Sequence, residues 1–138
     1  LAQAEQRWSA VKAHAAQAVR LADEHGFVDL LSRATVQHGR ALVAQGQEEQ
    51  GFAEMRQGCA TAQVRGAQVI HAGLCLLLAG AYASTGRWAE GLDVVEGILP
   101  WVREHQLVLA EAWLLLIQGD LLLSKHGSSS RRRKARLA

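Results

Sequence analysis

Val69 to Val95 reads VIHAGLCLLLAGAYASTGRWAEGLDVV, and this stretch decides the fold class. Val69 to Tyr82 is apolar on nearly every side, the mark of a helix buried on more than one face. Ser84-Thr85-Gly86-Arg87 interrupts the run, and Gly86 supplies the left-handed backbone conformation that ends a helix. From Trp88 onward, Leu92, Val95, Ile98 and Leu99 recur at helical spacing. The stretch is therefore a helix, a tight turn and a second helix. One such hairpin cannot bury its own apolar surface and requires neighbours of the same kind.

The neighbours lie 40 residues away in either direction. That shift superposes Gly46 on Gly86, Gly51 on Gly91 and Leu42 on Tyr82, and places Glu24-His25-Gly26 on Val64-Arg65-Gly66 and then on Glu104-His105-Gln106. Doubling the shift sets Arg7-Trp8 on Arg87-Trp88. Glycines fall where turns must be, so the period is structural. The expected architecture is all-α, an α-solenoid of antiparallel helical hairpins with a period of about 40. It has six helices: an unpaired one over Ala2–Glu24, two complete hairpins, and a last unpaired helix over Leu107–Ser124.

Composition agrees. Ala, Leu, Gln and Glu outnumber β-branched and aromatic residues, and there is a single proline. That residue, Pro100, falls inside the second helix of the central hairpin, where a kink is expected. The formal charge of +2 conceals an asymmetry. Ser128 to Ala138 carries five of the 15 basic residues and no acid, so the body holds 10 bases against 13 acids. The expected division is a repeat domain over 1–126 and a disordered basic tail over 127–138. Arg131 to Lys134 could meet phosphates, but without interleaved aromatics and with an acidic body behind it, the tail argues against nucleic acid as a partner.

Cys59 and Cys75 form no Cys-x-x-Cys pair and no disulfide framework, which favours a reducing cytoplasm. No secretory leader is visible. Leu107 to Leu123 is very apolar, but Glu111, Gln118 and Asp120 interrupt a run already short for a membrane span. The chain opens on Leu1, which reads as a piece of something longer.

The hairpins resemble the tetratricopeptide repeat, whose pattern is Trp-x-x-Leu-Gly-x-x-Tyr followed by a small and then a large residue. Here the central unit reads Cys75-x-x-Leu78-Ala79-x-x-Tyr82, then Gly91 and Val95. The preceding unit reads Thr35-x-x-His38-Gly39-x-x-Leu42, then Gly51 and Met55, and the following one Leu115-x-x-Gln118-Gly119-x-x-Leu122. Small residues hold the small positions, whereas Cys75, Thr35 and His38 depart from the large ones. Over about Leu21 to Leu123, segments such as Glu24-His25-Gly26-Phe27, Glu111-Ala112-Trp113 and Gly119-Asp120-Leu121-Leu122-Leu123 are similar to the C-terminal repeats of large bacterial predicted ATPases and adenylate cyclase-type regulators. That resemblance implies a non-catalytic protein-interaction or scaffolding segment of a signalling or regulatory protein. Any NTPase or cyclase module would lie elsewhere, because no G-x-x-x-x-G-K-[ST] loop is present.

By resemblance to tetratricopeptide units, the groove-facing positions are Arg33, Val36 and Arg40, then Gly73, Leu76 and Gly80, then Trp113, Leu116 and Asp120. Such grooves take peptides or helices from a partner or from neighbouring domains, with arginines meeting acids and aromatics acting as anchors. The unpaired first and last helices should expose apolar surface and could support self-association. Trp8 and Trp88, at equivalent positions, read as packing residues. No local nucleophile–base pair is visible, and the chain is read as no enzyme and as needing no cofactor. The competing class is a small ligand- or metal-binding helical domain built on His71 and Cys75, four apart on one helix. Their apolar surroundings favour core packing instead.

Overall fold

The computed structural model describes residues 2–137, and every regular element among them is an α-helix. The helices are α1 (Ala2–His25), α2 (Val28–Ala44), α3 (Glu48–Val64), α4 (Gln68–Ser84), α5 (Trp88–Glu104) and α6 (Val108–Leu137). The all-α class read from the sequence is observed.

The starts of α2 to α6 fall on a 20-residue metre, half of the sequence period. Gly26, Gly46, Gly66 and Gly86 all adopt positive φ, between 72° and 87°, and Gln106 holds the fifth place at 54°. At each turn the next N–H, from Phe27, Gln47, Ala67, Arg87 or Leu107, donates to the carbonyl five residues back at 2.8–3.1 Å. This is the left-handed C-terminal cap that satisfies carbonyls a helix end leaves open. The period also governs packing. From 48 to 71, every residue matches its counterpart 40 later in being buried, half-buried or exposed.

The chain divides between Leu74 and Cys75, inside α4, into two compact units. In the first, α2 packs against both α1 and α3. Its core holds Val36, Leu42, Phe52, Met55 and Ala62, all at most 2 % exposed. The closeness of α2 and α3 is bought with glycine. A Cβ on Gly58 would lie 2.5 Å from Val36 Cγ2 and 2.8 Å from the Ser32 carbonyl oxygen. The intrinsic cost of a mid-helix glycine, about 1 kcal/mol, is thus offset by a close crossing. On the far side of α3, the His71 imidazole Nδ1–H donates to the Cys59 carbonyl at 3.0 Å.

In the second unit α5 packs against α6, over a core of Ala79, Tyr82, Val95, Val102, Leu114 and Leu121. Gly91 is buried, with Tyr82 Cβ and the Leu121 side chain against the space a methyl would occupy. Pro100 lies on the exposed side of α5, and the helix continues through it to Glu104.

One expectation is corrected. Gly127 to Leu137, read from its like charges as disordered, continues α6 as helix. Arg, Lys, Ala and Leu are good helix formers and offset the serines, while the exposed basic side chains stay in water. The repeat metre calls for a turn near His126, and none forms.

Candidate functional site

The expected groove residues divide between the two units. In the first, Arg33 is exposed and lines an apolar groove of about 820 Å³ between α1 and α2, beside Val11, Leu21, Phe27 and Leu30. Arg40 lies with its guanidinium carbon 5.3 Å from the Trp8 ring centroid, a cation–π contact between α2 and α1. Val36 is corrected. It is fully buried against Gly58 and faces no groove, because α3 lies directly over that side chain.

In the second unit Leu76 is half-buried, whereas Trp113 is 51 % and Leu116 64 % exposed. Asp120 borders a hollow between α4 and α6 with Gly80, Ile117 and Leu123. Leu109, Trp113, Leu116 and Leu123 recur at helical spacing and form an exposed apolar stripe along α6. Beside it, Leu115 and Leu122 remain 43 % and 39 % exposed, although their counterparts on α4, Cys75 and Tyr82, are 7 % and 2 % exposed. The α6 face that corresponds to the packed face of α4 therefore stands open.

The first helix shows the matching feature. Val11, Ala18 and Val19 are exposed or half-buried, while Gly51, Gly58 and Cys59 at the same repeat positions of α3 are buried. Trp88 takes the position of Trp8, and its ring lies 5.4 Å from Lys125 Nζ. Trp101 stacks on His105 at 4.3 Å, and the same imidazole bonds the Trp101 carbonyl at 2.9 Å at the end of α5.

Sequence reasoning missed a second site. Where α1, α2 and α3 meet, a cleft of about 460 Å³ opens. Its polar lining from α2 is Ser32, Thr35 and His38, and from α3 it is Glu54, Gln57 and Thr61. His38 Nδ1 stands 2.6 Å from Glu54 Oε2. An ionised carboxylate only accepts, so the imidazole donates from Nδ1 in this pair. Ser32 is 2 % exposed and its hydroxyl has no hydrogen-bond partner. Leaving a buried hydroxyl unmet costs about 1–3 kcal/mol.

The fold does not require these polar residues. One repeat later the six positions read Ala72, Cys75, Leu78, Val94, Gly97 and Trp101. The signal was present in Thr35 and His38, the two departures from the tetratricopeptide pattern in that hairpin. It becomes legible once the repeats are compared column by column.

Neither cysteine is in a disulfide, and both are buried. Among the described residues no group of three His, Cys, Asp or Glu side chains is placed to hold a metal ion, and no helix is long and apolar enough to cross a membrane. No family model, no curated protein and no solved structure matches the chain.

Proposed function

We propose that this chain is a non-catalytic interaction segment, a tetratricopeptide-like solenoid fragment that receives a helix or extended peptide from a partner or a neighbouring domain. The observation that carries this reading is the open face of α6. Trp113 and Leu116 are more than half exposed, beside Leu115 and Leu122, whose counterparts Cys75 and Tyr82 are buried on α4. A contiguous apolar surface of this kind on a framework of regular helices marks an interaction site, and helix-in-groove recognition needs such a row of anchors. The α1–α2 groove, with Phe27 and Leu30 more than half exposed, offers a second seat of similar character.

Resemblance to the repeats of bacterial regulatory ATPases supports a scaffolding role in a cytoplasmic signalling protein. Glycine-mediated crossings at Gly39, Gly51 and Gly91, the small positions of the repeat pattern, support the same assignment. A metal-binding domain on His71 and Cys75 receives less support, since His71 is engaged with the Cys59 carbonyl.

A photoreactive amino acid at position 116 tests the proposal in cells. Covalent capture of a specific polypeptide at 116, and not at exposed position 93 on α5, is the expected result. Equal or absent capture at both positions would oppose it.

A further inference from the structure

We propose that the cleft between α1, α2 and α3 binds an organic cation, an alkylguanidinium or alkylammonium group. The reading is independent of the apolar surfaces proposed above for partner docking. Its first support is charge. Asp23 enters the cleft from α1 and Glu54 from α3, and no lysine or arginine lines it. The remaining polar lining is neutral and rich in acceptor oxygens, on Ser32, Thr35, Gln57 and Thr61.

The second support is the Ser32 hydroxyl, 2 % exposed, on the cleft wall and without a partner. Serine within a helix can bond the carbonyl one turn back, and this one does not. An N–H donor from a bound cation would satisfy it. Val19 and Leu31 give the cleft an apolar part that suits an alkyl stem.

The third support is the repeat itself. Ala72, Cys75 and Leu78 stand where Ser32, Thr35 and His38 do, and all three are buried. The repeat therefore does not itself demand polar side chains at these positions. Gly58 also lines the cleft, and its counterpart Ile98 is a bulky, buried side chain. A metal ion is disfavoured, since the described residues form no three-ligand group.

The cation could be a free small molecule or the basic side chain of a peptide, and the test separates the two. Isotope-labelled protein is titrated with butylguanidinium chloride, with sodium pentanoate, and with the capped tripeptide Gly-Arg-Gly and its citrulline counterpart. The proposal expects saturable amide shifts around Ser32, Thr35 and Glu54 with butylguanidinium and none with pentanoate. Tighter binding of the arginine tripeptide than of butylguanidinium assigns a peptide source, and the reverse order assigns a free amine or guanidine. Asp23→Asn with Glu54→Gln should weaken binding at least about tenfold, the loss of roughly 1.4 kcal/mol, while exposed Asp93→Asn changes nothing. If the double variant does not fold, Asp23→Asn alone, on the exposed side of α1, carries the same readout. Equal binding of pentanoate, shifts that never saturate, or full affinity in the carboxylate variants would overturn the proposal.

Discussion

Gly39 and Gly51 each stand where a side chain would strike the other's backbone. A Cβ on Gly39 would lie 2.5 Å from the Gly51 carbonyl oxygen, and one on Gly51 would lie 2.6 Å from that of Gly39. Such reciprocity makes the α2–α3 crossing a backbone contact with little room to give. Gly51→Ala is therefore expected to destabilise by about 1–3 kcal/mol through overpacking. Gly73, exposed on α4 with nothing within 4 Å, is the control. Gly73→Ala should stabilise by up to about 1 kcal/mol from helix propensity alone. Urea denaturation of the two variants checks both signs.

Gly91 presents a softer obstacle. The atoms nearest its missing Cβ belong to the tip of Leu121, which can turn, with Tyr82 Cβ behind at 3.1 Å. Gly91→Ala should be near neutral, because gained propensity offsets the crowding. Gly91→Leu should cost on the order of 1–3 kcal/mol. A Gly91→Leu variant that melts at or above the parent temperature would show that the α4–α5 packing is misplaced.

Gln106 breaks the series of turn glycines while keeping their backbone, at φ 54°. A side chain in the left-handed region costs about 1–2 kcal/mol. Gln106→Gly should therefore stabilise by roughly 0.5–1 kcal/mol after glycine's greater unfolded-state entropy is deducted. Thermal unfolding of the single variant reads the difference.

The helical class was legible because two signals coincide in this chain: apolar spacing within helices and glycine at their ends. Gly46, Gly66 and Gly86 mark turns by residue type alone. The 20-residue metre was harder to see, since Gln106 hides the fifth turn behind a residue that rarely takes that conformation. The end of α6 was misread because a run of like charge and serine suggests a solvated coil, although the same arginines are good helix formers. Val36 was misplaced because repeat analogy assigns a face without measuring how near the next helix lies. The polar cleft escaped because its members are scattered over Asp23, His38 and Glu54 on three helices, and only tertiary packing joins them.

Ser32 gives a prediction with opposite consequences for stability and binding. Its unmet buried hydroxyl, at a position where the next repeats carry Ala72 and Ala112, should make Ser32→Ala more stable by about 1 kcal/mol. A raised melting temperature checks it. A lowered one would mean that the hydroxyl is already satisfied in the free protein.

The central claim is that α6 presents an open docking face, and fluorescence of a hydrophobic dye tests it most directly. Wild-type protein is predicted to bind the dye saturably. Leu116→Asp with Leu123→Asp, both far exposed on α6, should lower that signal, the α1–α2 groove keeping the remainder, while the helical circular dichroism spectrum is unchanged. A monodisperse protein that binds no dye, or dye binding that the double variant leaves intact, would contradict the account.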